Sequence, residues 1–138
     1  MLFRWLAPAI REVEGGDVDS ETFETAYFTK YESALRQAES VLGWPAEKQA
    51  TAYGMYQILG ENLARFHGFG VEHLDRFLTD PQLQHEIARR QFYIMVKTLV
   101  RRRGAAWAHY LFSMWNTGIN FNRAYHDAIS KALKGHRR

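Results

Sequence analysis

From Asp80-Pro81 to Arg103-Gly104 the chain reads as one long helix, and a helix of that length commits much of a 138-residue protein to packing around it. A capping carboxylate followed by Pro at the first helical position is a strong start signal, because Pro lacks only an N–H that a helix start leaves unpaired. Leu83, Ile87, Phe92, Ile94, Met95, Leu99 and Val100 then cover a wide arc, the pattern of a central helix buried on most sides. Two further amphipathic stretches follow. Trp107, Tyr110, Leu111 and Met114 form one, broken at Asn116-Thr117-Gly118; Phe121, Ala124, Tyr125, Ala128, Ile129 and Ala132 form the other.

Upstream, Asp19 or Ser20 is placed to cap a helix carrying Phe23, Tyr27, Tyr31, Leu35 and Ala38 at steps of three and four. That helix should run to about Ser40 or Leu42 and stop at Gly43 and Pro45. Residues 43–54 read as an irregular connector or a small β-hairpin, and Met55 to about Phe66 as a short helix closed by Gly68 and Gly70. The expected organisation is an N-terminal lead-in over residues 1–18, polar from residue 11 onward, one folded domain over 19–134, and a basic tail over 135–138. The expected fold class is mainly α.

Hydrophobic residues at 46% and aromatic residues at 14% exclude a disordered chain. With no cysteine, disulfides, zinc-thiolate sites and Cys nucleophiles are excluded as well. The apolar start, interrupted by Arg4 and Arg11 and lacking a basic leader, does not read as a signal peptide. No run approaches the ~20 apolar residues of a membrane span, so no transmembrane segment is expected. The net charge is +3, with basic residues bunched at Arg101-Arg102-Arg103 and from Lys131 and Lys134 to Arg137-Arg138. These read as solvated helix ends, since Lys and Arg favour helix C-termini, and no nucleic-acid partner is expected. A mild positive field suits an anionic cell-wall or membrane surface equally. The histidines show no metal spacing, and there is neither a phosphate-binding glycine loop nor a serine nucleophile elbow, so no metal and no cofactor is expected.

The chemistry-bearing candidates begin with Glu39, four residues after Leu35 and so on the apolar side of its helix. Removal from water would raise its carboxyl pKa and suit it to general acid work, whereas a solvated helix-end Glu is the plain alternative. Glu32-Ser33 repeats Glu39-Ser40 seven residues earlier on nearly the same face, roughly 10 Å up the helix.

Glu39-Ser40, followed by Ala52-Tyr53-Gly54-Met55-Tyr56-Gln57-Ile58, resembles the signature of the soluble lytic transglycosylases, the SLT domain of the lysozyme-like superfamily. That family has Glu-Ser and then Gly-Leu-Met-Gln-Ile at this separation, which selects Glu39 over Glu32. Leu78-Thr79-Asp80-Pro81 resembles the family's Leu-x-Asp-Pro, Trp115-Asn116-Thr117-Gly118 its Tyr-Asn-Ala-Gly, and Tyr125 a later aromatic. The likeness covers roughly residues 20 to 130, in order. It departs at Trp115, whose indole donates a hydrogen bond but accepts none, and at Gln84-His85, where the family tends to Asn-Ile.

The resemblance implies a single lysozyme-like domain, a monomer, that cleaves the bond between N-acetylmuramic acid and N-acetylglucosamine in peptidoglycan glycan strands. Glu39 would protonate the glycosidic oxygen and then, as carboxylate, take the proton of the muramic C6 hydroxyl that closes a 1,6-anhydro ring. Ser40, Met55, Tyr56, Gln57, Trp115, Asn116 and Tyr125 are the implied substrate-side residues, with Tyr125 also placed to hydrogen-bond Glu39. Ser40 serves either substrate or a helix end, Gln57 either sugar or its own turn; of Met55 and Tyr56, one is expected to face the cleft and one the core. A hydrolase needs a second carboxylate about 5 Å or about 6.5–9.5 Å away, and Glu47 and Glu61 are the nearby candidates. The implied setting is a phage lysis protein, made in the cytoplasm and brought to the periplasmic cell wall by a holin or by the virion. A lysozyme-type muramidase, a non-catalytic wall-binding or assembly module and a basic helical nucleic-acid binder are the alternatives.

Overall fold

In the computed structural model, which describes residues 1–136, the expected long helix runs over Pro81–Arg103. Asp80 starts it, its Oδ1 accepting the backbone N–H of Leu83 at 3.0 Å. The chain is mainly helical with a small three-stranded antiparallel sheet. In order its elements are α1 (Leu2–Glu14), β1 (Glu21–Phe23), α2 (Thr25–Leu42), α3 (Ala46–Gln49), β2 (Thr51–Tyr53), β3 (Ile58–Leu59), α4 (Gly60–His67), α5 (Leu74–Phe77), α6 (Pro81–Arg103), α7 (Trp107–Tyr110), α8 (Met114–Thr117) and α9 (Arg123–His136). Short 3-10 turns cover Val71–His73, Gly104–Ala106 and Leu111–Ser113. No helix among the described residues is long and apolar enough to cross a membrane. Two units emerge: Gly16–Ile87, and Met1–Gly15 with the chain from Ala88 onward.

In the unit Gly16–Ile87 the sheet order is β1-β2-β3, with Glu21 opposite Tyr53 and Ala52 opposite Leu59. The pairing of β1 explains why α2 begins at Thr25 rather than after Asp19 or Ser20. Residues 21–23 are drawn into the sheet by a partner thirty residues away, and the Glu24 N–H goes to the Ala50 carbonyl at 2.9 Å. Phe23 and Tyr31, expected on the buried stripe, are exposed, whereas Leu35 packs against Ala46 and Ala50 with Tyr27 and Phe28 alongside. Gly43 ends α2 in the left-handed conformation with φ 71°, as its position predicts. The expected helix from Met55 is a turn and a strand first, and helical only from Gly60.

Trp44 is buried beside Tyr53, and its indole N–H donates to the Phe69 carbonyl at 2.9 Å. Gly60 lies against this ring: a Cβ there would stand 2.2 Å from the Lys48 carbonyl oxygen and 2.8 Å from Trp44 Cζ3. Backbone and a buried indole cannot both move aside. Gly60→Ala is expected to cost about 3 kcal/mol of stability, read as a lowered urea midpoint at unchanged slope.

In the other unit, Phe3, Leu6, Ala7, Ala9 and Ile10 of α1 are buried, as are Tyr125, Ile129, Ala132 and Leu133 of the α9 helix that packs on it. Each large apolar side chain buried here contributes roughly 1.5–3 kcal/mol. Phe3 also meets Phe92 of α6, ring centroids 5.4 Å apart. Residues 2–14 are therefore a packed helix, where the sequence reading had a lead-in. Of the basic tail expected over 135–138, Gly135 and His136 close α9, and Arg137 and Arg138 lie outside the described residues. The stretch from Gly104 to Thr117 holds the expected apolar stripe but alternates 3-10 and α turns.

Candidate functional site

α1 ends on Glu14. Its buried face runs Phe3, Leu6, Ala7, Ile10, and Glu14 follows Ile10 by four residues, one turn along the same side. Gly15 then closes the helix at φ 69°, its N–H on the Arg11 carbonyl at 2.9 Å. The half-buried carboxyl group meets Tyr125 of α9, whose hydroxyl donates to Glu14 Oε2 at 2.7 Å. Burial, and then the negative charge of Glu14 beside it, push that hydroxyl far above the ordinary tyrosine range, so Tyr125 remains a donor.

Tyr125 is itself positioned from the preceding loop. Asn122 Oδ1 accepts the Tyr125 backbone N–H at 3.1 Å, and Asn122 Nδ2 donates to Asn116 Oδ1 at 3.0 Å. Asn116 opens the turn Asn116-Thr117-Gly118, in which Thr117 Oγ1 donates to the Asn120 carbonyl at 2.6 Å and Gly118 takes φ 63°, ψ −117°, a backbone state essentially confined to glycine. Asn116, Asn122, Tyr125 and Glu14 thus form one hydrogen-bonded chain. Trp115, half-buried, stands next to Asn116 in α8.

The second cluster is the turn joining β2 to β3 in the other unit. Gly54 has φ 79°, and Gln57 has φ 52°, the only left-handed non-glycine among the described residues. Such a conformation costs on the order of 1 kcal/mol and persists where surrounding contacts impose it. Here they do: Gly54 N–H bonds the Ser20 carbonyl at 2.9 Å, Met55 N–H bonds Gln84 Oε1 at 2.9 Å, and Gln57 Nε2 donates to the Gly54 carbonyl at 2.8 Å. Gly16 fits so closely that a Cβ would lie 2.3 Å from the Gly54 oxygen. Met55 and Tyr56 are both buried, at 7% and 1% exposure, where one was expected to face a cleft. The Tyr56 hydroxyl is engaged by His85 Nδ1 at 2.8 Å. Gln57 alone of the three keeps a half-exposed side chain.

Glu39 does something different from what its sequence position suggested. Its Oε2 accepts the backbone N–H of Ala46 at 2.8 Å, tying the end of α2 to the first turn of α3, and stands 3.7 Å from Arg36. The group is spent on a helix start. Arg36 also pairs with Glu32 at 3.3 Å and with Glu47 at 2.9 Å, and the bond to Glu47 holds that carboxyl below its usual range. Glu61 accepts the Tyr27 hydroxyl and pairs with Arg65 at 3.1 Å. Ser40 is exposed. Glu39→Ala is expected to lower stability by about 1 kcal/mol, the ordinary loss of a helix cap, seen as a small drop in melting temperature.

No family model matches the chain, and neither the curated proteins nor the solved structures yield a match. The Tyr125 hydroxyl reaches Glu14, and Asn116 is linked to the Tyr125 backbone through Asn122. Glu14 was legible by the same rule that singled out Glu39, a carboxylate four residues past a buried apolar residue of its helix. Among the described residues no three His, Asp or Glu side chains converge in a way that could hold a metal ion.

Proposed function

We propose that the protein is a lysozyme-like lytic transglycosylase that cleaves peptidoglycan glycan strands, with Glu14 as its single acid and base. The observation that carries the reading is the Glu14–Tyr125 pair: a half-buried carboxyl at a glycine-closed helix end, oriented by a hydroxyl that stays a donor. Glu14 in its acid form gives its proton to the glycosidic oxygen as the bond from that oxygen to the muramic C1 breaks. The resulting carboxylate takes the proton of the muramic C6 hydroxyl, whose oxygen bonds to C1 and closes the 1,6-anhydro ring. Glu14 ends protonated, and no water is consumed. Tyr125 acts as a positioning residue, and Asn116 supplies a donor and an acceptor for N-acetyl groups.

The lyase is favoured over the hydrolase because it needs only the one carboxyl group that Tyr125 orients, whereas a hydrolase needs a second. The setting we propose is phage-directed lysis, in which a holin or the virion brings the monomeric enzyme to the cell wall.

The test is digestion of purified peptidoglycan with reducing ends and soluble fragments measured together. Soluble fragments without new reducing ends are expected, because the anhydro ring masks the muramic C1. A matched rise in reducing ends would make the protein a muramidase, and no release by folded protein would leave a non-catalytic wall-binding module.

A further inference from the structure

The near-neutral net charge conceals a division between the two units. Residues 1–15 with those from 88 onward carry thirteen Lys and Arg against three Asp and Glu, whereas residues 16–87 carry five against twelve. The formal charges are thus +10 and −7. Of the three acids in the basic unit, Glu12 pairs with His136 at 3.3 Å and Glu14 is committed to Tyr125, which leaves little to neutralise the cations. Among the described residues, the side chains of Lys97, Arg101 and Arg102 on α6 make no ion pair or hydrogen bond, and all three are exposed.

Apolar groups accompany these cations. Tyr93, Lys97, Val100 and Arg101 recur at steps of four, seven and eight and so share one face of α6. Val100 on that stripe is 42% exposed. The Tyr93 hydroxyl accepts the Phe3 N–H at 3.3 Å, which seats the start of α1 on the same stripe. From that start project Arg4 and Trp5, the latter 49% exposed with its inner edge against Phe112 at 6.0 Å between centroids. An indole, an aliphatic group and long cationic stems set together suit an interface that is anionic outside and apolar just beneath.

We propose that this face, built on Arg4, Trp5, Lys97, Val100 and Arg101, docks on an anionic phospholipid surface. A nucleic acid would use the cations but leave Val100 and Trp5 in water, which is why the lipid is the better fit. The proposal stands apart from the cleavage chemistry and holds whether or not Glu14 is catalytic.

Co-sedimentation of the full chain with phosphatidylcholine vesicles, with and without phosphatidylglycerol, at low and high salt, tests it. Binding is expected only with phosphatidylglycerol present and should weaken steeply with salt. Lys97→Gln/Arg101→Gln should lower the partition coefficient about twenty-five-fold, at roughly fivefold per charge. Val100→Ser, an exposed and structurally mild change, should lower it severalfold without altering the salt slope. Equal binding to neutral vesicles, or unchanged binding by the double variant at wild-type melting temperature, would overturn the proposal. Displacement from vesicles by duplex DNA at equal phosphate concentration would overturn it in favour of a nucleic-acid surface.

Discussion

Glu14→Gln is expected to lower peptidoglycan cleavage roughly a thousandfold, the contribution of a positioned acid and base, while leaving the protein folded. The amide keeps the shape of the side chain, and its oxygen still accepts the Tyr125 hydroxyl, so the contact between α1 and α9 survives. What it loses is the transferable proton. Tyr125→Phe removes only the orienting bond, worth about 1.5–3 kcal/mol to a charged acceptor, and should lower the rate roughly ten- to a hundredfold. Initial rates of fragment release, with circular dichroism to establish the fold, read both. A Glu14→Gln protein that cleaves at the wild-type rate would remove Glu14 from the chemistry.

The largest expected effect on stability comes from Gln84. Gln84 is 1% exposed and serves three separate backbone segments. Its Oε1 accepts the Met55 N–H at 2.9 Å, and its Nε2 donates at 2.7 Å to the carbonyls of both Val18 and Phe77. Gln84→Leu fills similar volume but leaves one backbone donor and two acceptors without their partner. At about 1–3 kcal/mol for each buried group so left, a loss of roughly 3–6 kcal/mol is expected, much of the stability of a small domain. Chemical denaturation measures it directly. A change below about 1 kcal/mol would mean that the Met55 turn and the Val18 strand lead-in are not held by this amide.

Gln84 also shows what a sequence conveys and what it withholds. The helix from Asp80-Pro81 was plain, because its cap and its proline act on adjacent backbone. That one residue on that helix binds positions 18, 55 and 77 was invisible, since none of these contacts leaves a periodic trace. The same holds for β1, whose three residues gain strand geometry from a partner thirty positions on. The end of α2 at Gly43 and the last helix were legible; their residues speak for themselves.

For the candidate site, the sequence points to Asn116, Tyr125 and Glu39, and the structure adds Glu14, which accepts the Tyr125 hydroxyl. Glu39 and Glu14 obey one rule of helix spacing, and only their environments separate them. Ala46 N–H and Arg36 occupy the first, and the Tyr125 hydroxyl orients the second. Read as a lead-in, residues 1–18 conceal the buried face of α1 that leads to Glu14.

Mass spectrometry of peptidoglycan digested in parallel by wild type, Glu14→Gln and Glu39→Gln tests the assignment of the acid most directly. Anhydro-muramic fragments, lighter by one water than hydrolysis products, are predicted from wild type and Glu39→Gln and not from Glu14→Gln. Anhydro fragments from Glu14→Gln, with none from Glu39→Gln, would contradict it and return the chemistry to the end of α2.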